Sequence, residues 1–198
     1  MAANKLADQP NYSWKTTVVV PESSQFKPGP AEGRTEKGGF TYYTSTMRDN
    51  KFEMAVKGTK TVVTSEGEWK MASDLDSTQG AGRFISRIVQ NFKAPAAQAI
   101  ELANTSRDLK KDGDTISGDL TEDGAKAQLQ TRGDAKNAMG SVKFWVKDGV
   151  LTKYEIKVKG KIDRNGNEVD IDRATTVEIK DVGATKVEVP EAAKKKLS

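Results

Sequence analysis

Four groups of residues have the types and spacing to do chemistry. Asp163-Arg164-Asn165-Gly166-Asn167-Glu168 places oxygen donors as a calcium loop does. Such a loop needs glycine at its sixth position and glutamate at its twelfth. Those positions hold Glu168 and Ala174, and both flanks read as strands, so Asn165-Gly166 is expected to be a two-residue hairpin turn. Ser24 and Lys27 have Ser-x-x-Lys spacing, which on a helix brings the amine to the hydroxyl. Here the pair falls in a proline-rich segment without supporting motifs and is read as chance. Asp112 with Asp114, and Asp170 with Asp172, are the carboxylate pairs. Acid–base work needs one carboxyl in an apolar pocket. The first pair lies in a glycine-containing turn and the second on a highly charged strand, so both are read as surface charge. No GxxxxGK[S/T] phosphate loop occurs.

Two residue types are missing altogether: the 198 residues include no Cys and no His. Disulfides, Cys or Cys/His zinc sites and His-assisted nucleophiles are therefore excluded. Catalysis would rest on carboxylates, Lys, Tyr or Ser alone, so the chain is expected to be no enzyme, with no cofactor and no metal. Thirty-two Lys and Arg against 28 Asp and Glu give +4, with the signs interspersed. A nucleic-acid binder concentrates its basic charge in a patch or stripe. The one dense run, Lys194-Lys195-Lys196, suits the negative end of a terminal helix, and no nucleic-acid partner is expected. With 30% charged and 35% apolar residues the composition is globular, and the length fits a single domain over residues 1–198. No apolar run approaches ~18 residues, so no transmembrane segment is expected. Met1-Ala2-Ala3-Asn4 shows no signal peptide. The lack of Cys fits a cytosolic protein, or an envelope protein that needs no disulfides.

The remaining candidate site is apolar. Trp14, Phe40, Tyr42, Phe52, Met54, Phe84, Ile88, Phe92 and Phe144 are expected to converge on one side of a sheet. They would either fill an ordinary core or line a cavity that takes an apolar ligand.

The elements that must position them follow from pattern. Residues 2–9 read as a helix closed by Pro10. Residues 12–20 are β-branched and aromatic and read as a strand, and residues 21–37, with three Pro and two Gly, as a long loop. Strands are expected at 39–47, 51–57, 60–65 and 68–72, joined at Asp49-Asn50, Lys57-Gly58 and Glu66-Gly67. The period then changes from 2 to 3.6. Phe84, Ile85, Ile88, Val89 and Phe92 form one apolar helical stripe over 82–92, and Pro95 opens a second helix over 94–104. This helical pair should cover one face of the sheet. A short strand at 115–120 precedes a helix from Thr121 to about 132. Three long strands follow at 138–147, 150–163 and 167–180, then a terminal helix at 191–197. Tyr154, Ile156, Val158 and Ile162 alternate with Lys153, Glu155, Lys157, Lys159 and Lys161, so only one face of these strands needs cover.

Three stretches carry a family resemblance: Leu6 through Tyr12-Ser13-Trp14, Val142-Lys143-Phe144-Trp145-Val146-Lys147-Asp148-Gly149-Val150-Leu151, and Thr175-Thr176-Val177-Glu178-Ile179-Lys180-Asp181-Val182-Gly183 with Val187-Glu188-Val189-Pro190. In these, and in the order of elements, the chain resembles the lipoprotein-carrier superfamily, which includes the periplasmic lipoprotein localisation carrier and mycobacterial lipid-binding lipoproteins. The resemblance implies an α+β fold: a curved, unclosed antiparallel β half-barrel with a helical lid, here about 82–104, on its concave apolar face. It implies non-catalytic binding or transport of lipid acyl chains or a lipidated protein by a monomer in the periplasm or cell envelope. Attachment through a lipidated Cys ahead of Ala2 would accompany it. The rival expectation is an envelope interaction or sensor module with the same fold, a protein partner and no bound lipid.

Overall fold

The computed structural model describes residues 1–24, 27–47, 50–65, 67–75, 80–129, 135–164 and 167–198. The expected turns at Asp49-Asn50, Glu66-Gly67 and Asn165-Gly166 lie wholly or partly outside them, as does the middle of Ser24-Gln25-Phe26-Lys27. The elements run α1 (Ala2–Ala7), β1 (Asn11–Val19), β2 (Ala31–Glu36), β3 (Phe40–Met47), β4 (Asn50–Lys57), β5 (Lys60–Ser65), β6 (Glu68–Met71), α2 (Gly80–Asn91), α3 (Pro95–Asn104), β7 (Ser106–Asp112), β8 (Thr115–Leu120), α4 (Glu122–Leu129), β9 (Lys136–Lys147), β10 (Val150–Arg164), β11 (Asn167–Lys180) and α5 (Glu191–Leu197). Among the described residues eleven strands form one sheet in the order β6-β5-β4-β3-β2-β1-β11-β10-β9-β8-β7. The order ends at β6 and β7 rather than returning on itself, so the sheet is unclosed. The α+β class and the open antiparallel sheet are as expected from sequence.

Two strands were not foreseen. β2 lies inside the segment read as loop. Its sequence, Ala-Glu-Gly-Arg-Thr-Glu, lacks large apolar residues because a neighbour fills the space above it. A Cβ placed on Gly33 would stand 2.0 Å from the indole of Trp14, so the buried Trp14 ring lies flat on bare backbone there. β7 carries Ser-Arg-Asp-Leu-Lys-Lys-Asp, almost wholly exposed and broken by a register shift between Arg107 and Lys110. Charge and a bulge on a sheet edge deter pairing with other chains, and they also erase the apolar alternation that marks a strand.

The chain divides into two compact units. One comprises residues 1–7, 16–28 and 95–178; the other comprises 8–15, 29–94 and 179–198. In the first, β8 to β11 turn Ile116, Phe144, Tyr154 and Val177 to one side through their pairing register. α4 packs on β9 and β10, and α1 packs on α3 and β10. Tyr154 is fully buried, and its hydroxyl donates to Oε1 of Gln98 on α3 at 2.6 Å. Thr121 caps α4: its Oγ1 accepts from the N–H of Gly124 at 3.1 Å. The opposite side of β10 carries the lysine ladder, paired in part with acidic neighbours, as in Lys159–Asp172 at 3.0 Å. Asp172, proposed with Asp170 as a carboxylate pair, is thus an ordinary surface ion-pair partner.

In the second unit both faces of β3 to β5 are covered. The register Gly33↔Tyr43↔Met54↔Val63 defines one face, and Tyr42↔Ala55↔Val62↔Met71 the other. Met54 and Val63 cluster with Ile85 of α2, whereas Ala55 and Val62 cluster with Ala193 and Leu197 of α5. The helices α2 and α3, expected as one pair on one face, therefore join different units.

The Trp14–Gly33 contact has a direct test. Gly33→Ala should lower stability by about 1–3 kcal/mol, the usual range for overpacking. Combining it with Trp14→Leu should cost less than the sum of the two single changes, as read from urea midpoints in a double-mutant cycle.

Candidate functional site

The candidate site is the face of β3 to β5 beneath α2. Phe52, Met54, Val63 and Ile85 form its buried floor, with relative exposures from 0 to 7%. Around them stand Tyr43, Val56, Leu75, Ile88, Val89 and Phe92, all apolar and only partly buried. The α2 side follows from its sequence: Ile85, Ile88, Val89 and Phe92 recur at three- and four-residue intervals, so one helical stripe meets the sheet. Tyr43 sits between two rings, its centroid 6.5 Å from Phe52 edge-on and 5.3 Å from Phe92. Burial raises the Tyr43 hydroxyl pKa. The wall is chemically uniform, and what it offers a ligand is removal of apolar surface from water.

Of the nine residues singled out in the sequence, Phe52, Met54, Ile88 and Phe92 come together in this cluster. Trp14 lies over Gly33, whose register partner is Tyr43, and so belongs to the same face. Phe84 lies on α2 but is 43% exposed. Phe40 and Tyr42 point to the opposite face, where they pack around Ala55, Val62 and the α5 residues. Phe144 lies in the other unit, its ring 6.3 Å from that of Tyr154. Tyr43, Val63, Val56, Leu75, Ile85 and Val89 complete the face and were not singled out. Strand parity could have found the first two: Tyr43, not Tyr42, pairs with Met54.

The α5 face is more polar. Lys57 Nζ stands 5.0 Å above the Phe40 ring. The Tyr42 hydroxyl donates to Oε1 of Glu53, which also accepts from Lys51 Nζ at 2.9 Å. Burial, and then the bond to Glu53, push the Tyr42 hydroxyl well above its usual range. For Glu53, burial acts upward, but the hydrogen bonds from Lys51 and Tyr42 outweigh it and hold the carboxyl below the usual range. This is a structural hydrogen-bonded group on the side away from α2.

Two features of the first unit were not anticipated. A cleft of about 290 Å³ lies among Ala2, Lys111, Gly113, Asp114, Ile116, Val146, Asp148 and Gly149. Asp114, of the Asp112–Asp114 pair, lines it at the β7–β8 turn, and there its carbonyl accepts from the N–H of Val146 at 2.8 Å. Arg173, opposite Val158 on the inner side of β11, donates through Nη2 to the Gln128 carbonyl, and burial lowers its pKa. Strand parity could have placed it there, since Arg173 is in phase with Val169, Ile171, Val177 and Ile179. Among the described residues no group of three or more acidic side chains is arranged to hold a metal ion.

The tyrosine shift predicts a pH dependence. Because the folded Tyr42 pKa lies above the unfolded value of 10.0, its contribution is complete below pH 10 and declines above it, where the unfolded chain ionises first. Tyr42→Phe should flatten the fall in urea midpoint between about pH 10 and 11.5 without changing its slope near pH 8.

No family model matches the chain, and no curated protein matches it. Solved structures match it by fold. The crystal structure of the Mycobacterium tuberculosis lipoprotein LppX aligns over 95% of this chain and 92% of that one, with a TM-score of 0.51 and 11% identity. That of LprF from Mycobacterium bovis aligns over 97% and 93%, with a TM-score of 0.48 and 13% identity. The unclosed sheet with its helices is thus similar in fold to the mycobacterial lipoprotein LppX, as the order of elements in the sequence had implied.

Proposed function

We propose that this protein binds an apolar ligand, the acyl chains of a lipid or of a lipidated protein, on the face of β3 to β5 beneath α2. It does so in the bacterial cell envelope and without catalysis. One observation carries the reading. Six apolar side chains on this face, Tyr43, Val56, Leu75, Ile88, Val89 and Phe92, remain partly exposed around a floor of four buried ones. Apolar surface left accessible beneath a helix gains free energy when an acyl chain covers it, roughly 0.8 kcal/mol per methylene buried. Ten methylenes would supply about 8 kcal/mol before the entropy of association is subtracted. The envelope location draws support from the LppX fold, which belongs to a lipoprotein, and no described helix is long and apolar enough to cross a membrane.

Titration with cis-parinaric acid should give a saturable fluorescence rise, and organic extraction of the purified protein should release acyl lipid. Ile88→Asp should weaken parinarate binding at least tenfold while leaving the thermal midpoint within a few degrees. Phe40→Ala, on the α5 face, should leave the affinity unchanged. A protein that takes up no parinarate and yields no lipid on extraction would instead support the interaction or sensor module with a filled core.

A further inference from the structure

The outer side of α2 is chemically one-sided. From Gly80 through Pro95 the chain carries Arg83, Arg87 and Lys93 and no acidic residue. Ile85 is buried on the sheet, and Ile88, Val89 and Phe92 pack there too, so Arg83 and Phe84 are left exposed and Arg87 half-exposed. Arg83 and Arg87 stand one helical turn apart, a spacing at which like charges repel. Phe84 lies beside Arg83 and three residues before Arg87, and 43% of its surface is open to water. The result is a half-open aromatic ring on the flank of a convex helical surface that carries two guanidiniums.

We infer that this outer face of α2 docks the protein on an anionic phospholipid surface. Charge complementarity selects an anionic partner. Guanidinium forks match phosphate oxygens in pairs, and an aromatic ring flanked by cations settles at headgroup level. The part-exposed ring stands beside the two arginines, where a fluid bilayer can close around it, whereas a protein partner would need a matching pocket. Docking uses the side of α2 turned away from the acyl-binding face and does not depend on any ligand being held there.

The test is co-sedimentation of the whole chain with vesicles. Vesicles of phosphatidylcholine with 30 mol% phosphatidylglycerol (about one anionic lipid in three) should bind it, pure phosphatidylcholine should not, and added salt should release it. Arg83→Gln with Arg87→Gln should weaken binding about 25-fold, about fivefold for each charge removed. Phe84→Ser should weaken it about tenfold. Circular dichroism and parinarate affinity should be unchanged in both variants, which separates this face from the acyl-binding one. Equal binding to both vesicle types, no binding to either, or wild-type binding by the double arginine variant would overturn the inference. Arginine-dependent capture of an acidic protein without vesicle binding would overturn it in favour of a protein-docking face.

Discussion

Helices cover both faces of the strands β3 to β5, and alternate residues therefore serve two different cores. A strand turns successive side chains to opposite sides, so no residue can choose its core independently of its neighbours. Tyr43 and Tyr42 are adjacent in sequence, yet the first meets Phe52 and Phe92 and the second meets Glu53 and the α5 cluster. Val62 and Val63 divide in the same way. The sizes of the side chains follow: small Ala55 faces Ala193 across a close helix packing, while Met54 and Phe52 reach toward α2. The unsealed edge of the α2 cluster, where partly exposed apolar groups surround a buried floor, is a consequence of that division.

The strands β8 to β11 obey the simpler rule. Their outer face is a field of lysines and carboxylates, and the ion pairs there are exposed. Such pairs contribute little each, ~0–1 kcal/mol. Two of the lysines, Lys143 and Lys153, also lie within 5.1 and 4.7 Å of the Trp145 ring, which keeps their stems on the sheet rather than adding a site. Stability in this unit rests on the inner face, where Tyr154, Ile156 and Val158 are nearly or fully removed from water. Glycine admits close packing there: a Cβ at Gly160 would stand 2.8 Å from Leu129 of α4.

Most elements were legible in the sequence because their signals are local. β5, β8, β11 and α5 begin and end where alternation, turn residues and helical period say they should. β2 and β7 were not legible because their reasons lie elsewhere in the chain. β2 is small-residued because Trp14 occupies its surface, and β7 is charged because it ends the sheet. The candidate site was legible in part. The helical stripe of α2 and the apolar positions of β4 fixed Phe52, Met54, Ile88 and Phe92. The choice of Phe40 and Tyr42 over Tyr43 respected the alternation within β3, but only the pairing register, Tyr43 with Met54, shows which alternate set faces α2.

Composition alone removed every chemistry that needs Cys or His, since no arrangement of the chain can supply an absent side chain. Periodicity alone placed the helices and most strands, since both periods are properties of the local backbone. The order of elements implied the open α+β fold. Tertiary structure alone decided which helix covers which face. It parted α2 from α3, sent α5 to the reverse of the same strands, and left the rim beneath α2 partly exposed. Burial depends on what a distant segment brings to a surface, and a sequence pattern records that a side chain is apolar without recording what will cover it.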